Sequence, residues 1–435
     1  MNYNIVIHNG TIITMNSSLD IIENGVLCIK NGNLAKIESL ENDAPLPDGE
    51  TIIDAQGGII MPGLVNTHTH LPMSLFRGLA DDLPLSVWLN EHMFPAESKY
   101  ITPESVRIGT LLSCVEMLLS GTTTCCDGYF YEDHVAWAVN EAGMRAILGQ
   151  GVIDFPAPGI PDPADNIKNA AAFIQKWRNI SPLITPSIFC HSPYTCSKAT
   201  LKKAKDIADA EAVLFQIHAA ETKDEYVRIQ TEHQSTPINY LDEIGIIDKN
   251  ALLVHAVWLD DNDINTIAVR GASVSHNPES NMKLASGIAP VPALLKAGVT
   301  VGLGTDGCAS NNNLDLISEM DFAAKLHKVI ALDPTLMDAV TVLKMATIQG
   351  AKALGLDDII GSLEIGKKAD VIVIDTRKPH LVPVYNPVSH IVYAAQGSDI
   401  RDVIVNGQLL VKDRKILTVD LENTIEKVIR FSKTV

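Results

Sequence analysis

The stretch GLVNTHTH, Gly63 to His70, carries the reading of this fold. A short apolar run ends in two histidines one residue apart, in a chain with only 13 histidines among 435 residues. Along a β-strand, side chains at i and i+2 leave the same face. As a strand, this stretch therefore sets the His68 and His70 imidazoles side by side, as two ligands of one metal ion would stand.

Working outward, further strand-like runs recur downstream: GTTTCCDG, MRAILGQGVID, LITPSIFCHS, VLFQIHAAE, ALLVHAV, ASVSHNP and VTVGLGTDG. Helical patterns such as TPESVRIGTLLSCVEMLLS and SKATLKKAKDIADA separate most of them. Eight strand–helix units in roughly 250 residues match a (β/α)8 TIM-like barrel, expected over residues 61–360. A doubly wound open sheet is set aside because no G-x-G-x-x-G follows the first strand. The two chain ends have a different texture. Short β-rich runs carry Asn-Gly at 9–10, 24–25, 31–32 and 406–407, a hairpin signal because both residues tolerate positive φ. Residues 1–60 and 361–435 are expected to build one small, antiparallel β-sandwich domain together.

In such a barrel the chemistry sits where strands end and βα loops begin. Strand one ends in His68 and His70, strand four in His191, strand five in His218, strand six in His255, strand seven in His276 and strand eight in Asp306. Packing gives an apolar strand no reason to end in imidazole so regularly. Histidines with a carboxylate form a mixed N/O set suited to Zn²⁺ or Fe²⁺, with a position left for water. No strand ends in a lysine that could be carbamylated to bridge a second ion, so one divalent metal per subunit is expected. Glu221, three residues past His218 in HAAET, is either a helix N-terminal acid or, beside an activated water, a proton shuttle.

Composition narrows the classes. Hydrophobic residues are 46% and charged residues 20%, ordinary for a globular enzyme and too apolar for disorder. A net charge of −18 argues against nucleic acid as a partner, and H-x-E with P-C-x-x-C, the signature of base deaminases acting on nucleic acid, is absent. No apolar stretch approaches a spanning helix, so no membrane is expected. The start, MNYNIVIHNGTIITMN, has no basic segment leading into an apolar core. With seven unpatterned cysteines, this predicts reduced thiols and a cytoplasmic location.

PGLVNTHTH, HAAET, HNPESNMKLASG and GLGTDGCASNNNLD resemble the amidohydrolase superfamily over nearly the whole chain, including GSLEIGKKADVIVIDT. With WLNEHMFPAE, Trp88 to Glu97, the set is similar to the branch containing 5′-methylthioadenosine/S-adenosylhomocysteine deaminase. The resemblance implies His68, His70, His218 and Asp306 as metal ligands, the metal being zinc or iron. It implies Glu221 as the acid that protonates a purine ring nitrogen, with His255 and Asp306 orienting and deprotonating the attacking water. Glu97 and His191 would hold the ribose, Trp88 would pack on the ligand, and Ser310 would lie nearby. His276 is expected only to support the site.

The implied function is hydrolytic deamination of 5′-modified adenosines, a small-molecule nucleoside substrate, by a homo-oligomer (dimer or tetramer). One departure matters. The branch carries arginines after strand three that approach the far end of the substrate. Here no arginine occurs between Arg145 and Arg178, and Gln150 or Asn166 is expected in their place. That favours 5′-methylthioadenosine, with S-adenosylhomocysteine and adenosine weaker. The alternatives are a superfamily hydrolase acting on guanine, a pterin or a triazine, and a non-catalytic scaffold on the same fold. A scaffold has no use for the full ligand set with Glu221.

Overall fold

The computed structural model describes residues 2–41 and 44–435. Five strands come first: β1 (Tyr3–Ile13), β2 (Ile21–Lys30), β3 (Asn33–Ser39), β4 (Gly49–Asp54) and β5 (Ile59–Pro62). The barrel strands follow: β6 (Leu64–Thr69), β7 (Thr122–Tyr129), β8 (Arg145–Val152), β9 (Ile184–Cys190), β10 (Phe215–Ala219), β11 (Ala251–His255), β12 (Ser273–His276) and β13 (Thr300–Leu303). The chain closes with β14 (Val371–Ile374), β15 (Ile400–Val405), β16 (Gln408–Lys412) and β17 (Lys415–Ile416).

All eight sequence-read strands are present, paired in chain order and parallel from β6 to β13. Helices cover the outer face, so these strands are buried on both sides; every residue of β6, β7 and β8 is buried. This is why they read as continuous apolar runs instead of alternating ones.

The ends of that order, β6 and β13, meet across a seam. The Asn66 amide donates to Thr305 Oγ1 (2.7 Å) and its carbonyl accepts the Thr305 N–H (3.2 Å). The Asp306 N–H donates to the His68 carbonyl (3.0 Å). Two glycines permit this approach: a Cβ on Gly302 would collide with Thr67, and one on Gly304 would lie 2.6 Å from Ser275 Oγ and 2.9 Å from the His68 nitrogen. The seam thus places residues 68 and 306, far apart in sequence, in one corner of the barrel mouth.

The second sheet has nine strands drawn from both chain ends, which share one apolar core that includes Ile7, Leu27, Ile60, Val371 and Ile404. It is mixed: β1 pairs antiparallel with β2 but parallel with both β4 and β5. β4 and β5 follow one another along the same side of β1, separated only by residues 55–58, a parallel pairing that the local Asn-Gly signals do not register. Those signals divide into two kinds. Asn31-Gly32 and Asn406-Gly407 are two-residue hairpin turns with both residues at positive φ, as their sequence predicts. Asn9-Gly10 and Asn24-Gly25 instead lie within β1 and β2 at register shifts. There Asn9 takes φ +59, and Gly10 admits Ala55 Cβ and the Gly58 carbonyl to 2.8 Å of where its own Cβ would stand. They are bulges, not turns.

Two C-terminal helices lie against the barrel: Pro387–Tyr393, beside the helix Leu316–Ala331, and Leu421–Ser432, whose Phe431 ring is 6.2 Å from that of Phe76. A buried ion pair ties sheet to barrel. Arg145, opening β8, gives Nε to Asp370 Oδ2 (2.8 Å) and Nη2 to Oδ1 (3.1 Å), and the same Oδ1 accepts the Asn406 N–H (2.7 Å). Removing one partner of a buried pair strands the other charge, which costs about 3–5 kcal/mol. Arg145→Met is therefore expected to lower the melting temperature sharply. Adding Asp370→Asn, which retains an acceptor for Asn406, should restore part of the loss; a single variant that melts with wild type would contradict this account.

Candidate functional site

The rim residues converge as the strand ends dictate. His68 belongs to β6, His70 follows it, His218 belongs to β10, and Asp306 follows β13. One ligand atom from each lies within 4.8 Å of all the others. His68 Nε2 is 3.2 Å from His218 Nε2, and Asp306 Oδ1 is 3.4 Å from both His68 Nε2 and His70 Nε2. Two imidazole nitrogens facing each other at 3.2 Å would repel if both rings were charged. Burial works against that charge: it pulls His68 down to about 4, lowers His70, and holds His218 well below the ordinary histidine value. Neutral imidazoles are what a metal requires. His70 Nδ1 donates to the Gly128 carbonyl at 2.7 Å, which fixes the tautomer and leaves Nε2 with its lone pair towards the centre. The donor set fits one divalent cation, and the four side chains form its site.

Asp306 is held on every side. It sits at φ +60; Oδ1 accepts the Gly307 N–H (2.8 Å), and Oδ2 accepts the Ser280 (2.7 Å) and Ser310 (2.9 Å) hydroxyls. Burial opposes its ionisation, but the His68 hydrogen bond and the neighbouring imidazoles hold it well below the usual carboxylate range. Ser310, read as lying near the ligand, borders the cavity with its hydroxyl on this carboxylate.

Beyond the ligand set lies a cleft whose empty space, continuous with open solvent, is about 760 Å³. Trp88, Glu97, His191, Glu221, His255 and Ser310 all line it. Glu221 is buried, and that burial raises its pKa, His255 pulling it partly back; its Oε2 is 3.9 Å from His255 Nε2. His255 Nδ1 donates to Asn281 Oδ1 at 2.9 Å, so Nε2 keeps the lone pair on the Glu221 side. Glu97, pushed by burial up to about 7, accepts the Tyr129 hydroxyl at 2.5 Å. His191 Nδ1 pairs with Thr195 Oγ1 at 2.9 Å. His276 is absent from the cleft: its Nε2 is 3.2 Å from His327 Nε2, a buried partner on the helix Leu316–Ala331.

Neither Gln150 nor Asn166 reaches the cleft. Gly151 lines it, and a Cβ on Gly149 would lie 2.9 Å from that of the inward Phe189; Gln150, between them, points the opposite way. It borders a separate cavity with Glu132 and Phe173 and accepts the Glu132 N–H at 3.3 Å. The Asn166 amide donates to the Ile153 carbonyl. The wall where arginines were sought is formed by Met93, Phe94, Phe130 and Ile153, and among the described residues no lysine or arginine lines the cleft. Tyr129, Ser280 and Asn281 were missed in sequence. The last two stand in HNPESNMKLASG, so the stretch was visible, but spacing alone gave them no partner.

The amidohydrolase family model matches residues 59–410. The chain is 47% identical over 427 residues to the 5-methylthioadenosine/S-adenosylhomocysteine deaminase of Syntrophobacter fumaroxidans, covering 98% of this chain and 97% of that one. It is 43% identical over 424 residues to the 5'-deoxyadenosine deaminase of Methanosarcina mazei, covering 97% and 96%. Among solved structures, the zinc-bound adenosine deaminase from Xanthomonas campestris superposes with a TM-score of 0.97 at 35% identity, covering 100% of this chain and 99% of that one. With its barrel, its seam and its three histidines and aspartate, this chain belongs to the amidohydrolase family of hydrolytic deaminases.

Proposed function

We propose that this protein deaminates adenosines carrying a short, uncharged 5′ group, 5′-methylthioadenosine before S-adenosylhomocysteine or adenosine, releasing ammonia and the inosine analogue. The observation that carries the reading is Glu221, buried with its pKa raised by that burial, lining the same cleft as the ligand set. The divalent ion, zinc by analogy with the Xanthomonas enzyme, supplies Lewis acidity that makes a water molecule acidic near neutral pH.

The chain's own groups do the rest. Glu221, as the neutral acid, donates its proton to a ring nitrogen and so draws electrons from C6. His255 Nε2, its tautomer set by Asn281, accepts a proton from the incoming water. Asp306, its second oxygen held by Ser280 and Ser310, orients that water, takes the proton left on its oxygen as the C6–N bond breaks and passes it to the departing amine. The proton on His255 returns to Glu221, 3.9 Å away. Glu97 and His191 grip the ribose hydroxyls, and Trp88 packs against the ligand. The apolar wall of Met93, Phe94, Phe130 and Ile153 receives the 5′ group. The seven free, buried cysteines support a reducing, cytoplasmic setting, and no helix among the described residues is long and apolar enough to cross a membrane. Exposed Val329, Ile330 and Leu332 at one helix end support a dimer or tetramer.

Three measurements test the reading. His218→Ala should lose both metal, by elemental analysis, and deaminase activity; retained stoichiometric metal would remove His218 from the ligand set. Glu221→Gln keeps the shape but cannot give up a proton, so kcat should fall at least ~10²-fold with metal content unchanged. Near-normal turnover would assign the proton to another group. Finally, the carboxylate of S-adenosylhomocysteine finds no cation in the cleft, and a charge-assisted hydrogen bond is worth about 1.5–3 kcal/mol. The kcat/KM for 5′-methylthioadenosine should exceed that for S-adenosylhomocysteine by at least about tenfold; equal values would sink the argument from the apolar wall.

A further inference from the structure

Glu225 has no part in the chemistry described above, yet it is buried four residues after the proton donor. It lies in the first turn of the helix Lys223–His233, whose N-cap is Thr222; the Thr222 Oγ1 accepts the Glu225 N–H at 3.1 Å. A glutamate at this position ordinarily reaches back to the N–H of the capping residue itself. Here it reaches further. Its Oε1 accepts the Ala220 N–H and its Oε2 the Glu221 N–H, both at 2.8 Å.

The peptide it holds is a junction. Ala220 is in the left-handed region, φ +55, a conformation that a residue with a Cβ keeps only when its surroundings over-determine it. The Ala220 carbonyl accepts the N–H groups of Val257 (2.9 Å) and Trp258 (2.8 Å), and the Ala219 carbonyl accepts that of Ala256 (3.1 Å). The receiving segment begins at His255 and Ala256, themselves at φ +76 and +48. One carboxylate therefore anchors the turn that aims Glu221, and through the Ala220 carbonyl it braces the turn that aims His255.

From this geometry we infer that Glu225 is a positioning residue for deamination, holding Glu221 and His255 in register with each other. It touches neither substrate nor metal. The inference rests on the deaminase reading, because it assigns a role relative to Glu221 and His255. Burial pushes the Glu225 pKa up to about 7, while the Ala220 and Glu221 N–H donors pull it the other way, towards the carboxylate that accepts both.

The test is steady-state kinetics on Glu225→Gln and Glu225→Ala in the full-length, metal-analysed enzyme, with Thr222→Ala as a control. An amide offers one acceptor oxygen and sets an NH2 against the second backbone donor, so it cannot hold both N–H groups. Glu225→Gln is expected to lose at least ~10-fold in kcat, as misplaced catalytic groups do, with KM and metal content near wild type. Glu225→Ala should lose more, and added formate should recover part of its kcat by filling the vacated carboxylate position. Thr222→Ala removes the helix cap alone, so it should lower the melting temperature while leaving kcat near wild type. Wild-type kcat in Glu225→Gln would overturn the inference. So would a loss that follows metal content or melting temperature, with Thr222→Ala losing kcat in parallel. If wild type itself released no ammonia from any adenosine, the deaminase reading would have failed instead, and that outcome is separate from every variant comparison.

Discussion

The hydrogen bond from the Asp306 N–H to the His68 carbonyl (3.0 Å) spans the seam at which the barrel closes, and the site exists only where that seam closes. His68 and His70 come from the first barrel strand and Asp306 from the end of the last. In chain terms they are 238 positions apart, from 68 to 306. Their ligand atoms meet only because Gly302 and Gly304 let β13 press against β6, while Asn66 fastens Thr305 by a reciprocal pair of hydrogen bonds. A barrel left ajar at this point would keep three histidines near one another and lose the carboxylate.

Closure also sets the electrostatics. Drawing five histidines (His68, His70, His191, His218 and His255) and several carboxylates into an apolar-walled cleft removes the water that would stabilise their charged forms. His68, His70, His191 and His218 respond with lowered pKa values, and Glu221 and Glu97 with raised ones. Asp306 resists the same pressure because two hydroxyls and a backbone N–H donate to it and the His68 ring lies against it. Carboxylates within one cleft are thereby pushed in opposite directions, Glu221 up and Asp306 down, a difference that suits separate acid and ligand roles.

The backbone shows where this arrangement is held against local preference. His255, Ala256, Ala220 and Asp306 all adopt positive φ without being glycine, and all lie at the mouth of the barrel. Such positions persist only when neighbouring contacts over-determine them. Here those contacts are visible: Glu225 beneath Ala220, the Ala220 carbonyl against Val257 and Trp258, and the His68 carbonyl on the Asp306 N–H.

The sequence by itself determined the eight strands, their order and the residues at their ends, because a strand buried on both faces reads as a continuous apolar run and a polar residue closing it can only stand at a rim. It also determined the Asn31-Gly32 and Asn406-Gly407 turns, where two adjacent positive-φ residues suffice. Tertiary structure alone decided the rest. The same dipeptide at 9–10 and 24–25 became a bulge because Ala55 and Gly58 crowd Gly10 from across the sheet. Gln150 turned away from the cleft because the glycines flanking it face inward, a parity the chain does not announce when the inward residue has no side chain. Tyr129 on Glu97, Asn281 on His255 and Glu225 beneath Glu221 were equally hidden, since past the last strand residue a side chain's direction follows backbone angles imposed by partners remote in sequence.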